Sequence, residues 1–561
     1  MTTSEVTEYR CDTVRQIDLP FDVIVIGGGC NGSAIAWDGA LRGMRVLLLE
    51  KEDFGWATSA WNSRLIHGGL KYLEKYDVRL VRESLREREW MLHAAPHLVR
   101  PLRFVLPFYE RNAHSAAMLR LGMVAYDALS WDKSTPRHRI HDTGGALALI
   151  PGLGTDGLKG AATYYDGQVN YAERLSVEAA LAARAAGAVV LNHAQVEQVL
   201  VKDGAVAGAE FLDTVTGNRH TAHAAAVVNS SGPWVDGVLR TIQAHRYRQF
   251  MGGTKGTHLV VDPFPGAPVD SAMYYEALTD ARPMMVIPWL GRYIIGATDV
   301  RFTGDLDTAS GDDGEIDYIL RETNLVLPGA SLTRADILWS YTGVRPLPFH
   351  ETGPTSDITR RHIVHDHRHD DEHPVRGLFS VIGGKLTTFR ALAEHVNDDV
   401  LGATRSGRRG RGKRPTTTRT ARLPGAQVLD FQDFARRFVT TSQLPPDVAT
   451  RLVSLYGTRA TAVQALTETE PDLAKRVDGV PEVIAAEVAF AVRAESAFTL
   501  SDIVARRIMT GLDASMGLDS LTAVGQVAAE LAGWSDSRLA DEVEAYLRYL
   551  GKFHPRGLAA R

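Results

Sequence analysis

The sequence predicts an α/β fold in three parts: a Rossmann-like dinucleotide-binding domain, an antiparallel-sheet domain and a helical domain. Three observations carry that reading. A β-branched run at residues 23–26 leads into Gly27-Gly28-Gly29-Cys30-Asn31-Gly32, a helical stretch at 33–41, and a second strand at 45–49 ending in Glu50. Short strands alternate between residues 250 and 350. Beyond residue 427 the pattern is helical, with few glycines.

The first of these stretches specifies a ligand class. Gly27, Gly29 and Gly32 fit G-x-G-x-x-G. Gly27 permits the tight turn, Gly29 lets the backbone approach a pyrophosphate, and Gly32 lets the helix pack closely on the strand. The helix N-terminus offers free N–H groups to phosphates, and Glu50 can accept hydrogen bonds from an adenosine ribose. Together these elements define a site for an ADP-containing dinucleotide.

Composition sets wider bounds. A chain of 561 residues exceeds one core, so two or three domains are expected. Its 45% hydrophobic and 23% charged content is that of a soluble globular protein. The formal net charge of −5 gives no general attraction to nucleic acid, and none is expected as a partner. Cys11 and Cys30, the two cysteines, exclude a disulfide framework and a zinc ribbon and favour a reducing, cytoplasmic compartment. Residues 1–20 are polar and mixed in charge, unlike a signal or transit peptide. No run of about 18 apolar residues is present to span a bilayer; peripheral attachment remains compatible with that.

Along the chain, Thr58, Ser59, Asn62 and Ser63 form a polar loop before Leu65-Ile66-His67-Gly68-Gly69-Leu70-Lys71-Tyr72, where glycines beside His, Lys and Tyr suggest backbone close to a ligand. Residues 78–93, dense in Arg and Glu, read as a solvated helical face with i,i+4 pairs. Residues 96–165 are mixed, broken by Pro107, Pro136 and Pro151, and locally basic. A helix at 171–187, a strand at 188–191 and a hairpin of 194–200 with 205–212 follow. A buried strand at 225–229 then ends in Ser230-Ser231-Gly232-Pro233-Trp234. Strands at 257–261, 284–288 and 292–296 suit an antiparallel sheet covering the ligand. The histidine-rich run from His362 to His373 alternates with Asp and Arg without fixed ligand spacing; it reads as a solvated loop, and no metal site is expected. A last strand at 378–382 enters Gly383-Gly384-Lys385-Leu386-Thr387-Thr388 and a helix, again an anion-site pattern. The Arg- and Lys-rich linker at 403–420 could touch anionic headgroups.

ATSAWNSRLIHGGLKYLE, directly after the dinucleotide motif, resembles the FAD-dependent, quinone-linked glycerol-3-phosphate dehydrogenase family. The likeness continues in order through HLVRPLRFVLP, YYDGQVNYAERL, VVNSSGPWVD, KGTHLVV, VIPWLGRYIIGATD, YTGVRPL and GGKLTTFRALAE. Residues 487–509 resemble the family's C-terminal helical domain. One departure is Lys71, where the family pattern has arginine; a point-like ammonium replaces a bidentate fork. The resemblance implies an FAD-binding domain of the glutathione-reductase/D-amino-acid-oxidase type from residues 21–95, 166–250 and 355–402. A substrate domain would comprise 96–165 and 251–354, between an N-terminal tail (1–20), a basic linker (403–420) and a C-terminal helical domain (421–561).

A nicotinamide site is usually one contiguous unit, whereas the supporting segments here recur near residues 195, 230 and 384. FAD is therefore the expected cofactor. The resemblance implies contacts to it from Gly27, Gly29, Asn31, Gly32, Glu50, Thr58, Ser59, Ser63, His67, Gly68, Val196, Ser231, Gly232, Gly343, Gly384, Lys385, Leu386 and Thr387. The implied reaction oxidises sn-glycerol 3-phosphate to dihydroxyacetone phosphate, with hydride passing from C2 to flavin N5. Arg345 and Arg360 are expected to hold the phosphate, helped by Lys71 and Tyr72. His258 is the first choice as proton acceptor and His67 the second. Arg345 completes the implied catalytic set with Lys385, placed beside the flavin ring, where positive charge stabilises the reduced anion. A membrane quinone is the implied electron acceptor, for a homodimer or higher homo-oligomer peripheral on the inner face of the cytoplasmic membrane. The alternatives are an oxidase using O2, a flavin amine or amino-acid oxidase with a carboxylate clamp, and a flavin-binding regulator without turnover. No long extra segment of the oxidase kind is read, and the convergent cations disfavour the other two.

Overall fold

The computed structural model describes Arg10, residues 16–69, 77–112, 116–242, 248–404, 415–556 and Leu558. Its first strand, Phe21–Ile26, lies in the middle of a parallel layer and is buried along nearly its whole length, which explains its continuous apolar run. Val46–Leu49 and Asn218–Asn229 flank it in parallel; Val189–Leu191 and Leu378–Ile382 extend the layer outward. Ile363–Asp366 pairs antiparallel at the edge. Because these strands run in one direction, the turns after Ile26, Leu49, Asn229 and Ile382 gather at one end of the sheet. That is where an open α/β sheet binds its ligand.

The helix Cys30–Leu41 packs against Ala172–Ala185 and Phe389–Ala403 on one face of this layer. The hairpin Ala194–Lys202 with Ala205–Asp213 covers the other. Asn218–Asn229 is longer than the sequence pattern suggested. Its first half pairs antiparallel with the hairpin, from Asn218 opposite Asp213 to His223 opposite Gly208, and its second half joins Phe21–Ile26. The half-exposed first part hides the strand from a search for buried runs.

A second, ten-stranded sheet includes Thr254–Val261, Pro283–Trp289, Arg292–Gly296 and Ile337–Arg345. It also includes Val99–Tyr109 and Leu158–Val169, from a stretch that its prolines made look irregular. Pro101 and Pro107 sit where the strand's second side is unpaired, since only Phe104 and Val105 meet Ala272–Glu276 there. Proline is tolerated at such an edge. Leu158–Val169 runs through the expected domain boundary at 165/166, and Leu65–Ile66 pairs with it. The histidine run is a further difference. Ile363–Asp366 is a strand, His367–His369 a 3-10 turn, and the His367 side chain is fully buried, so the run is not a solvated loop throughout. The most basic part of the linker, 405–414, lies outside the described residues.

The C-terminal helices, from Phe431–Thr441 to Asp536–Leu550, share one apolar core with Trp289, Trp339 and Tyr341 of the second sheet, and include one unexpected small strand pair at Arg476–Val477 and Val480–Ile484. This domain docks on the loop after the second strand through buried charges. The Asp53 carboxylate accepts from Arg506 Nε (2.6 Å), Arg507 Nη1 (2.7 Å), Arg507 Nη2 (2.9 Å) and Asn192 Nδ2 (2.8 Å). Asp502 accepts from Arg506 Nη2 (2.9 Å) and His193 Nε2 (2.8 Å), while Glu495 takes a bidentate pair from Arg174. Burial opposes a charged His193, yet Asp502, Asp53 and Glu52 raise its pKa above 6.5. Its contribution to stability is therefore complete below that value and lost as pH rises through the raised one. Thermal unfolding followed from pH 6 to pH 9 is expected to show this decline, and His193→Gln is expected to flatten it.

Candidate active site

The four turns at the carboxyl ends of the parallel strands line a cavity of about 480 Å³. Gly27 has φ +103°, and a Cβ there would lie 2.6 Å from Ser230 O. A Cβ on Gly32 would lie 1.8 Å from Gly27 O, so the helix starts directly against the turn. Cys30 N donates to Ser59 Oγ at 3.0 Å, tying the polar loop to that helix end. Glu50 accepts from Gly28 N (2.6 Å) and Glu52 N (2.9 Å); burial nevertheless pushes its pKa up. Ser230 Oγ is buried on this wall without a hydrogen-bond partner among the described residues, which calls for a ligand group there. Gly27, Gly29, Asn31, Glu50, Thr58, Ser59, Val196, Ser231, Gly232, Gly384, Lys385 and Leu386 all face the cavity. A backbone cradle closed to side chains, an acid at one end and an unpartnered hydroxyl together fit FAD.

At the acid's end, the Trp56 and Trp234 rings lie 5.5 Å apart. Lys51 Nζ sits 4.5 Å from the Trp234 ring and donates to Asp307 Oδ1 at 2.7 Å. Lys552 Nζ, from the helical domain, lies 5.1 Å from the Trp56 ring. Three domains thus close this mouth.

A second cavity of about 320 Å³ adjoins the first and shares Thr58, Asn62, Pro346, Gly384, Lys385 and Leu386 with it. Ser63, His67, Thr387, Arg345 and Arg360 line it as well. Asp299 binds both arginines: Arg345 Nη1 at 3.0 Å and Arg360 Nη2 at 3.2 Å. Burial alone would raise the Asp299 pKa, but Arg345, with Thr254 and Arg360, holds it low. Arg345 lies flat on Gly256, where a Cβ would come within 2.2 Å of Nη2. Arg360 Nη1 is buried and has no hydrogen-bond partner among the described residues. Lys385 donates to Ser84 Oγ at 3.5 Å. Its pKa is lowered to about 7, first by burial and then by Arg360 and Arg361, against the opposing pull of Glu83 and Asp77.

Several expected residues stand elsewhere. His258 lines neither cavity; it is 3% exposed, stacks on Tyr341 at 4.7 Å, and meets Ser63 Oγ through Nε2 at 2.9 Å. Burial, reinforced by Arg345 and Arg64, lowers its pKa to about 3, so it does not titrate near neutrality as a proton acceptor was expected to. Gly343 also lies off the walls; a Cβ there would be 1.9 Å from Trp61 O, so it lets its strand approach the polar loop. Gly32 and Gly68 act from behind, and Gly68 N donates to Asp166 Oδ1 at 3.1 Å. His67 N donates to Thr387 Oγ1 at 3.2 Å. Lys71 and Tyr72 lie outside the described residues.

Two carboxylates were given no role in the sequence reading. Asp299 sits in the GATD segment that the pattern had marked, but its pairing with two distant arginines has no local signal. Asp166 Oδ1 gathers Arg88 Nη1 (2.6 Å), Tyr126 Oη (2.8 Å) and Gly68 N on the second cavity's wall.

Comparison with known proteins agrees with this geometry. A model of FAD dependent oxidoreductases matches residues 22–394, and one of the C-terminal domain of alpha-glycerophosphate oxidase matches 416–539. Fold and site thus define an FAD-dependent oxidoreductase. A glycerol-3-phosphate dehydrogenase of Synechocystis sp. is 43% identical, covering 94% of this chain and 96% of that one. A D-erythritol 1-phosphate dehydrogenase of Brucella abortus is 35% identical over 87% of this chain and 93% of its own. The structure of a Bacillus halodurans glycerol-3-phosphate dehydrogenase complexed with FAD superposes with a TM-score of 0.78 at 27% identity, covering 97% of both chains. The chain belongs to the FAD-dependent glycerol-3-phosphate dehydrogenase family.

Forcing a methyl group between Gly32 and Gly27 O costs roughly 1–3 kcal/mol by overpacking, which is about 5- to 150-fold in cofactor affinity where the cost falls on the bound state. Gly32→Ala is expected to purify with a reduced flavin-to-protein absorbance ratio and to release flavin faster on dilution.

Proposed function

We propose that the protein oxidises sn-glycerol 3-phosphate to dihydroxyacetone phosphate. The observation that carries this reading is the pair Arg345 and Arg360 in a cavity continuous with the dinucleotide cavity, with buried Arg360 Nη1 lacking a hydrogen-bond partner among the described residues. A guanidinium nitrogen left without an acceptor fits a phosphate oxygen. FAD, when bound, supplies the two-electron acceptor. Arg345 and Arg360 hold the phosphate and orient the three-carbon chain; Asp299 keeps both forks in place before substrate arrives. Lys385, shared by both cavities, is partly neutral near pH 7 and takes the proton that leaves the C2 hydroxyl. His258 positions Ser63 rather than exchanging protons with substrate.

Anaerobic addition of glycerol 3-phosphate is expected to bleach the flavin absorbance, while glycerol and amino acids leave it unchanged. Bleaching by an amino acid alone would overturn the reading; bleaching by a four-carbon polyol phosphate alone would move it to that substrate. The bleaching rate should rise as pH passes through about 7, where Lys385 loses its proton, and Lys385→Gln should lose both the rate and that rise.

Electrons pass on, in the same proposal, to a membrane quinone. Among the described residues no helix is long and apolar enough to cross a membrane. The helix Ala116–Leu129 instead exposes Met118, Leu121 and Val124 at helical spacing, followed by Trp131, which is 77% exposed. Exposed Arg120 lies among them. Apolar side chains, an interfacial tryptophan and a cation suit contact with an anionic bilayer surface. Leu121→Glu with Trp131→Glu is expected to abolish flotation with anionic vesicles and slow quinone reduction, while activity with a soluble dye persists.

A further inference from the structure

We propose that His365, His367 and Asp370 form a binding site for one divalent metal ion of the zinc class. His365 is the penultimate residue of the edge strand Ile363–Asp366, and His367 opens the 3-10 turn after it. Two-residue spacing in an extended chain turns both rings to the same side. The turn then returns Asp370 to meet them. Asp370 Oδ1 lies 2.6 Å from His365 Nε2, and Oδ2 lies 2.7 Å from His367 Nδ1. One ligand atom from each residue can be chosen so that all lie within 4.8 Å of one another. The rings stand 4.6 Å apart at 82°, edge to face, and Phe250 packs on both, at 4.7 Å and 5.5 Å. That apolar wall fixes the rings on one side and excludes water there.

The surroundings are those of a ligand set. His367 Nε2 lies 2.8 Å from Ser380 Oγ on the adjacent strand. When Nδ1 binds a metal, the ring proton moves to Nε2 and the Ser380 hydroxyl accepts it, which orients the ligand and fixes its tautomer. His365 makes the same exchange toward its outer nitrogen, so neither ring undergoes net deprotonation. The His367 side chain is fully buried, whereas those of His365 and Asp370 remain 19% and 17% exposed. An ion therefore has an entry path, and water can occupy a fourth position. Two imidazoles and one carboxylate are a zinc-type donor set. None of the three lines either cavity. The ion's role is to brace the strand pair Ile363–Asp366 and Leu378–Ile382, whose end continues into Gly384 and Lys385.

The test is stoichiometry on tag-free holoenzyme, titrated with zinc and measured by elemental mass spectrometry after desalting. One zinc per chain is expected, with a rise in unfolding temperature on zinc addition. His365→Phe keeps a ring against Phe250 but removes the ligand nitrogen, and Asp370→Asn keeps the shape but removes the charge. Each should weaken zinc binding at least about tenfold. His369→Ala, at the exposed neighbouring histidine, should bind as the parent does. Absence of stoichiometric zinc in the parent, or equal binding by His365→Phe and Asp370→Asn, would overturn the proposal.

Discussion

A buried carboxylate, Asp53, stands at the centre of the charge network that joins the cofactor end of the molecule to its helical domain. It lies three residues after Glu50, in the loop that leaves the second parallel strand. A carboxylate can be fully buried there only because Arg506, Arg507 and Asn192 supply its donors. The same arginines engage Asp502 and Glu495, which in turn hold His193 and Arg174 of the dinucleotide-binding domain. Each charge needs its neighbours to remain charged out of water. The helical domain is thus part of the electrostatic environment of the cofactor site.

The wall of the second cavity repeats this arrangement, a carboxylate held by two arginines. Asp299 gives two guanidinium groups a common anchor, and Gly256 provides a flat seat for one of them. Burial, with Arg360 and Arg361 behind it, lowers the Lys385 pKa against the pull of Glu83 and Asp77, so the cations that suit an anion also weaken this amine's hold on its proton. His258 shows the limit of this effect. Burial, reinforced by Arg345, keeps this ring the neutral imidazole and leaves it a stacking and hydrogen-bonding partner.

Local patterns carried much of this architecture. Residues 292–296 and 378–382 are strands with the bounds that their apolar runs suggested, and the glycine turn, Glu50 and the Gly384–Lys385 turn converge on one cavity. What the pattern missed depends on partners far along the chain. Asp299 needs Arg345 and Arg360, and Asp166 needs Arg88 and Gly68. The first half of Asn218–Asn229 is stabilised by its hairpin rather than by burial. His367 is surrounded by Phe250 and Ser380, one of them more than a hundred positions away, so its charged sequence neighbours gave the wrong picture of its environment.

The Lys552–Trp56 contact has a consequence for how the protein is made. The cradle at Gly27 is made before its opposite walls, which come from Ser230 and Lys385. At about 5–20 residues per second, roughly 20–70 s of translation separate the first glycine from that lysine. Lys552, over the Trp56 ring, follows later still. A nascent chain therefore carries an open half-cradle until Lys385 is made, and the Lys552 contact over Trp56 forms last.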